Sequence, residues 1–81
     1  MPARLPADTA IYLHSEALVM INYSAGRRII EAEFSNHKVY QYQKVPLKKW
    51  QAFLSVINSG GSAGEFINRQ VKPFYKFVQI Q

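Results

Sequence analysis

The stretch RRIIEAEF, residues 27–34, constrains the fold more than any other part of the chain. Arg28, Ile30, Ala32 and Phe34 form one alternate set, mostly apolar, while Ile29, Glu31 and Glu33 form the other, mostly charged. Successive side chains on a strand point to opposite faces, so this alternation predicts a half-buried β-strand. Ile30, Ala32 and Phe34 are expected to face inward, with Glu31 and Glu33 as ordinary outer-face carboxylates. Such a strand needs pairing partners and a cover for its apolar face.

The flanking sequence supplies both. In ALVMINY, residues 17–23, Val19, Ile21 and Tyr23 alternate with Leu18, Met20 and Asn22, which predicts a strand covered on much of both faces. Ser24, Ala25 and Gly26 then provide a turn. A third strand is expected over residues 39–43 and stops at Val45-Pro46, because proline donates no ladder hydrogen bond. Pro46 suits the first turn of a helix, and Leu47, Trp50, Phe53, Leu54 and Ile57 follow at helical spacing on one stripe. Residues 58–61, Asn-Ser-Gly-Gly, end that helix. Ser62 and Glu65 have capping-box spacing and open a short helix that Pro73 limits near Val71. Residues 74–80 alternate as a last strand. The first 16 residues lack sustained periodicity. Residues 1–12 are expected to be a poorly ordered arm or an edge strand (residues 10–13), ahead of a single domain over 13–81. The expected architecture is α+β: an antiparallel meander of three to four strands packed against one long and one short helix.

The turn at residues 35–38 decides which face the two tyrosines of KVYQYQK occupy, because a one-residue slip swaps the faces. A three-residue loop, Ser35-Asn36-His37, pairs Ala32 with Tyr40 and Ile30 with Tyr42, placing both rings on the apolar face. A two-residue loop would instead turn Gln41 and Gln43 toward the core, where each needs hydrogen-bond partners. The odd loop is favoured, with His37 at the left-handed position that such hairpins require. Both rings are then expected under Trp50 and Phe53.

Composition narrows the function. The chain has 81 residues, 48% hydrophobic and 19% charged, and no cysteine, which excludes a disulfide framework and a thiolate metal site. No targeting signal is evident and the longest apolar run is far too short to span a membrane, so a cytoplasmic protein is expected. His14 and His37 have no carboxylate at metal-ligand spacing, and no serine sits in a nucleophile motif. SGGSAG, residues 59–64, is glycine-rich but lacks a P-loop lysine and does not follow a strand. No cofactor, metal or catalytic residue is expected. Ten Lys and Arg against five Asp and Glu give a net charge of +5, which favours polyanions. Arg27 and Arg28 lie in the first hairpin, Lys38 and Lys44 flank the tyrosines, Lys48 and Lys49 open the long helix, and Arg69, Lys72 and Lys76 follow later.

Several of these features together resemble the KTSC domain family. They are Phe34, Tyr40 and Tyr42, then Val45-Pro46 and an aromatic-bearing helix, then SGGSAGEFINRQVKPFYKF with Phe66, Asn68, Val71, Lys72 and Tyr75. Ser15, Leu18 and Tyr23 match the family's opening pattern, so the resemblance runs over about residues 13–80. Two positions depart from it: His37 stands where the turn glycine is usual, and Lys72 where an arginine is. Lysine keeps the charge and loses the bidentate fork. The resemblance implies a stand-alone bacterial relative of a segment found at the C-terminus of some lysyl-tRNA synthetases, for which RNA binding is the suggested role. It marks Tyr40, Tyr42, Asn68, Lys72 and Tyr75 as residues of interest. The combined expectation is a small non-catalytic basic module that binds RNA, tRNA-like or single-stranded, through Arg27, Arg28, Lys38, Lys44, Lys48, Lys49, Arg69 and those five. The alternative is a protein-interaction or homodimerising module with no nucleic-acid role.

Overall fold

The computed structural model describes residues 3–81. Five strands form one antiparallel sheet in sequence order: β1 (Ile11–Tyr12), β2 (Leu18–Ser24), β3 (Ile29–Phe34), β4 (Val39–Tyr42) and β5 (Phe77–Gln79). The meander therefore has five strands rather than three to four, because short segments at both ends of the chain pair on its two edges. Helix α1 (Leu47–Asn58) and the short α2 (Ala63–Phe66) follow β4, and α2 runs on into a π-helical turn, Ile67–Val71. Among the described residues no helix is long and apolar enough to cross a membrane.

The β3–β4 hairpin has the odd loop. Ala32 pairs with Tyr40 and Ile30 with Tyr42, and His37 donates its N–H to the Phe34 carbonyl at 3.0 Å. His37 takes the left-handed conformation at φ 71°. In β2 a bulge between Leu18 and Met20 makes Val19 the extra residue. Leu18, expected on the face opposite Ile21, consequently joins it in the core, and Val19, expected to share the face of Ile21, is exposed.

The core packs the apolar sheet face against α1, α2 and the π turn, with Ile30, Phe53, Ile67 and Val71 fully buried. Trp50 stacks on Tyr23 at 5.3 Å, and Phe53 on Phe66 at 4.6 Å. Trp50 thus lies over Tyr23, not over Tyr40 and Tyr42 as expected. The Tyr23 hydroxyl donates to the Val45 carbonyl at 2.7 Å and ties β2 to the start of α1. A Schellman closure ends α1: Gly61 N–H donates to the Val56 carbonyl at 2.8 Å and Gly60 adopts φ 88°. A Cβ at Gly61 would fall 2.5 Å from Val56 Cγ1. Ser62 Oγ accepts from Glu65 N–H at 3.2 Å, the expected cap of α2.

The second sheet face is also covered. Residues 3–9 cross β4, β3 and β2 as a strap, seating Leu5 in a buried position. Glu31 is 1% exposed. Its Oε1 accepts from Leu5 N–H at 3.0 Å and from Gln41 Nε2 at 2.9 Å, and its Oε2 accepts from Arg4 Nε at 3.0 Å. Gln41 Nε2 also donates to the Ala3 carbonyl at 2.9 Å, and Asn22 Nδ2 to the Pro6 carbonyl at 2.9 Å. Glu31 is therefore not an outer-face carboxylate, and Gln41 is buried by the odd loop too, on the opposite side. Both are tolerated because the strap's backbone satisfies them.

Candidate functional site

Burial on the helical face of the sheet falls off toward β5. Tyr42 is 3% exposed, Tyr40 is half-buried and Phe77 is 44% exposed. Phe77 pairs with Tyr42 across β4 and β5, and so joins the tyrosines on one face. The rings meet edge to face or tilted: Phe77 lies 5.6 Å from Tyr40 and 5.6 Å from Tyr42, and Phe34 lies 5.6 Å from Tyr40. These four rings form the walls of a cleft of about 230 Å³, and Asn36, Asn68 and Lys72 form its polar margin.

The π turn explains how Asn68 and Lys72 reach it. Lys72 N–H donates to the Ile67 carbonyl at 2.8 Å, an i to i+5 bond that widens the helix. Asn68 and Lys72 sit four residues apart on the resulting wide turn, and both are exposed. Gly64 lets this segment approach the start of β2, since a Cβ there would lie 3.2 Å from Ala17 Cβ. No buried side-chain nitrogen or oxygen among the described residues lacks a partner. The Tyr42 hydroxyl makes no hydrogen bond among them and is not fully sealed from solvent. Burial pushes the Tyr42 phenol up to about 12, with the neighbouring Tyr40 phenol adding to the shift. Tyr42 is thus a neutral hydrogen-bond donor at any physiological pH.

The cations divide between two ends of the sheet. Arg27 and Arg28 lie in the β2–β3 turn, and Arg28 accepts from Val45 N–H through its carbonyl at 2.8 Å. Lys44 immediately precedes that valine, and Lys48 and Lys49 lie in the first turn of α1 just beyond it. Lys76 joins them because Gln43 N–H donates to its carbonyl at 2.8 Å. Lys44, Phe74, Tyr75 and Lys76 line a second cleft of about 290 Å³ here. Arg28 and Lys44 both hold left-handed backbones, at φ 59° and 58°. At the Tyr23 hydroxyl nearby, burial raises the pKa and Arg28 pulls it part of the way back.

Lys38 sits apart, in the β3–β4 turn at the opposite end. Arg69 pairs with Glu65 at 3.5 Å, both largely exposed. Of the residues singled out by sequence, Arg27, Arg28, Lys44, Lys48, Lys49 and Tyr75 come together at one end, and Tyr40, Tyr42, Asn68 and Lys72 at the tyrosine cleft. Asn36 and Phe77 complete that cleft and were not anticipated. The alternation of the tail signals a strand, but only the register with β4 brings Phe77 beside Tyr42.

A five-stranded antiparallel meander, helices on one face and a tyrosine-walled cleft at its open edge together define a small α+β domain. The chain belongs to the KTSC domain family, whose model matches residues 14–75. It is 32% identical over 71 residues to an uncharacterized protein of Stutzerimonas stutzeri (strain A1501), covering 86% of this chain and 94% of that one. A KTSC domain protein from Yersinia pestis has a crystal structure similar to this fold, with TM-score 0.78 and 26% identity. The alignment covers 89% of this chain and 96% of that one.

Proposed function

We propose that this KTSC domain is a non-catalytic module that binds RNA, holding phosphates with the cations at the β2–β3 and β4–α1 end of the sheet. The observation that carries the reading is the conformation of Arg28 and Lys44. Both adopt left-handed backbones, where glycine is favoured by about 1 kcal/mol or more. Both are exposed, so neither side chain earns its place by packing. Charge sits at these two points against local backbone preference, and strain of this kind gathers at functional sites. Arg27, Lys48 and Lys76 surround them, and Phe74, 68% exposed, offers a ring for stacking.

Titration of labelled single-stranded RNA by fluorescence anisotropy at two salt concentrations tests the reading. With five cations engaged the log–log slope is about −3.5, so affinity falls roughly 100-fold between about 50 and 200 mM salt. Arg28→Gly and Lys44→Gly remove charge while relaxing the backbone. They should weaken RNA binding without loss of stability. Absence of binding at low salt, together with a dimer in sedimentation, would reject RNA.

That second outcome would favour association with a protein or a second copy. One observation supports this alternative: β5 is an open sheet edge beside exposed Phe74 and Phe77, and unpaired edges invite strand addition.

A further inference from the structure

We propose that the cleft between the π turn and the β4–β5 edge receives one unstacked base of the bound RNA, with its phosphate on Lys72. The inference rests on the RNA reading above and assigns that reading a base-binding position. The cleft's volume, about 230 Å³, lies below the ~300–1,000 Å³ of pockets for drug-sized ligands. A single ring system fits that space better than a whole nucleotide cofactor. Its walls are aromatic, and Phe77, the outermost, keeps much of its surface free. Every base has a π-face, so such walls accept bases through stacking.

The polar groups match the rest of a nucleotide. Asn36 and Asn68 carry amides, which can both donate and accept, and Tyr42, which also lines the cleft, has a hydroxyl without a partner among the described residues. These suit the mixed donor and acceptor edge of a base. Among the described residues that line the cleft Lys72 carries the one charge, and it is positive. An uncharged aromatic side chain from a protein would leave that charge unused. The cleft also adjoins the phosphate-binding end: Lys76 directly precedes Phe77 in the chain, and its carbonyl holds Gln43 of β4. A strand lying on Lys44 and Lys76 can place its next base against Phe77.

Affinities of the full chain for a short oligouridine and for an abasic ribose-phosphate oligomer of equal length separate base from backbone. The abasic oligomer should bind at least about 5-fold more weakly, the base in the cleft alone being worth about 5- to 150-fold. Phe77→Ala should weaken oligouridine by a similar factor and leave the abasic oligomer unchanged, whereas Lys72→Gln should weaken both. If Phe77→Ala disturbs the β5 edge, Phe77→Leu keeps an apolar contact without the ring and carries the same expectation. Equal affinity for the two oligomers with normal salt dependence would overturn the base cleft and leave the RNA reading standing. Failure of both oligomers to bind at low salt would overturn both. Tighter binding of an acidic, tyrosine-bearing peptide than of oligouridine would assign the cleft to protein recognition instead.

Discussion

Replacing Glu31 by alanine removes the acceptor that holds the strap residues 3–9 to the back of the sheet. Three donors lose it: Arg4 Nε, Leu5 N–H and Gln41 Nε2. The Arg4 side chain is 41% exposed, so solvent screens its ion pair and its share is small, well under about 1 kcal/mol. The other two donors are buried. Leu5 N–H, left unpaired, costs about 1–3 kcal/mol, whereas Gln41 Nε2 keeps its bond to the Ala3 carbonyl and adds less. The chain has a second option, in which the strap lifts and both donors meet water. That forfeits the burial of Leu5, worth about 1.5–3 kcal/mol. The less costly route sets the outcome, so Glu31→Ala should lose about 2–4 kcal/mol. A domain of this length has roughly 4–12 kcal/mol in total, so the variant still folds and can be measured. Its urea midpoint should drop by about 1 M or more, and the Leu5 amide should lose its hydrogen-exchange protection. Glu31→Gln keeps the shape and one acceptor, and should cost less than alanine. A Glu31→Ala variant within about 0.5 kcal/mol of wild type, with the Leu5 amide still protected, would refute the idea that this carboxylate anchors the strap.

Tyr42 should make stability fall in alkali. Its phenol titrates at about 12 in the folded protein against 10.0 normally. Below pH 10 both states hold the proton; between 10 and 12 only the unfolded chain loses it. Roughly 2–3 kcal/mol at most is therefore lost across that window. Tyr42→Phe should flatten this part of the profile in urea melts, and an unchanged alkaline limb would contradict it. At His37 the left-handed backbone makes the order of variants informative. His37→Gly should match or exceed wild type by up to about 1 kcal/mol, and His37→Val should lose about 1–2 kcal/mol. The reverse order in denaturation midpoints would contradict the odd-loop hairpin.

Local pattern determined a good deal about this protein. Alternation in residues 27–34 marked β3, Pro46 and the aromatic stripe marked α1, and Ser62 with Glu65 marked the start of α2. Loop parity alone places Tyr40 and Tyr42 on the helical face. Each of these rests on neighbours within a few residues, where geometry leaves few choices. What covers a face is a different question. Glu31 and Gln41 carry the pattern of an outer face and are nonetheless buried, because Leu5 and its neighbours return from 26 or more positions away to cover them. Phe77 reaches the tyrosines only through the pairing of β5 with β4. The cations around Arg28 and Lys44 meet, and Lys38 stands apart, because strands place successive turns at opposite ends of a sheet. Periodicity tells which side a residue faces; only long-range pairing decides what it meets there.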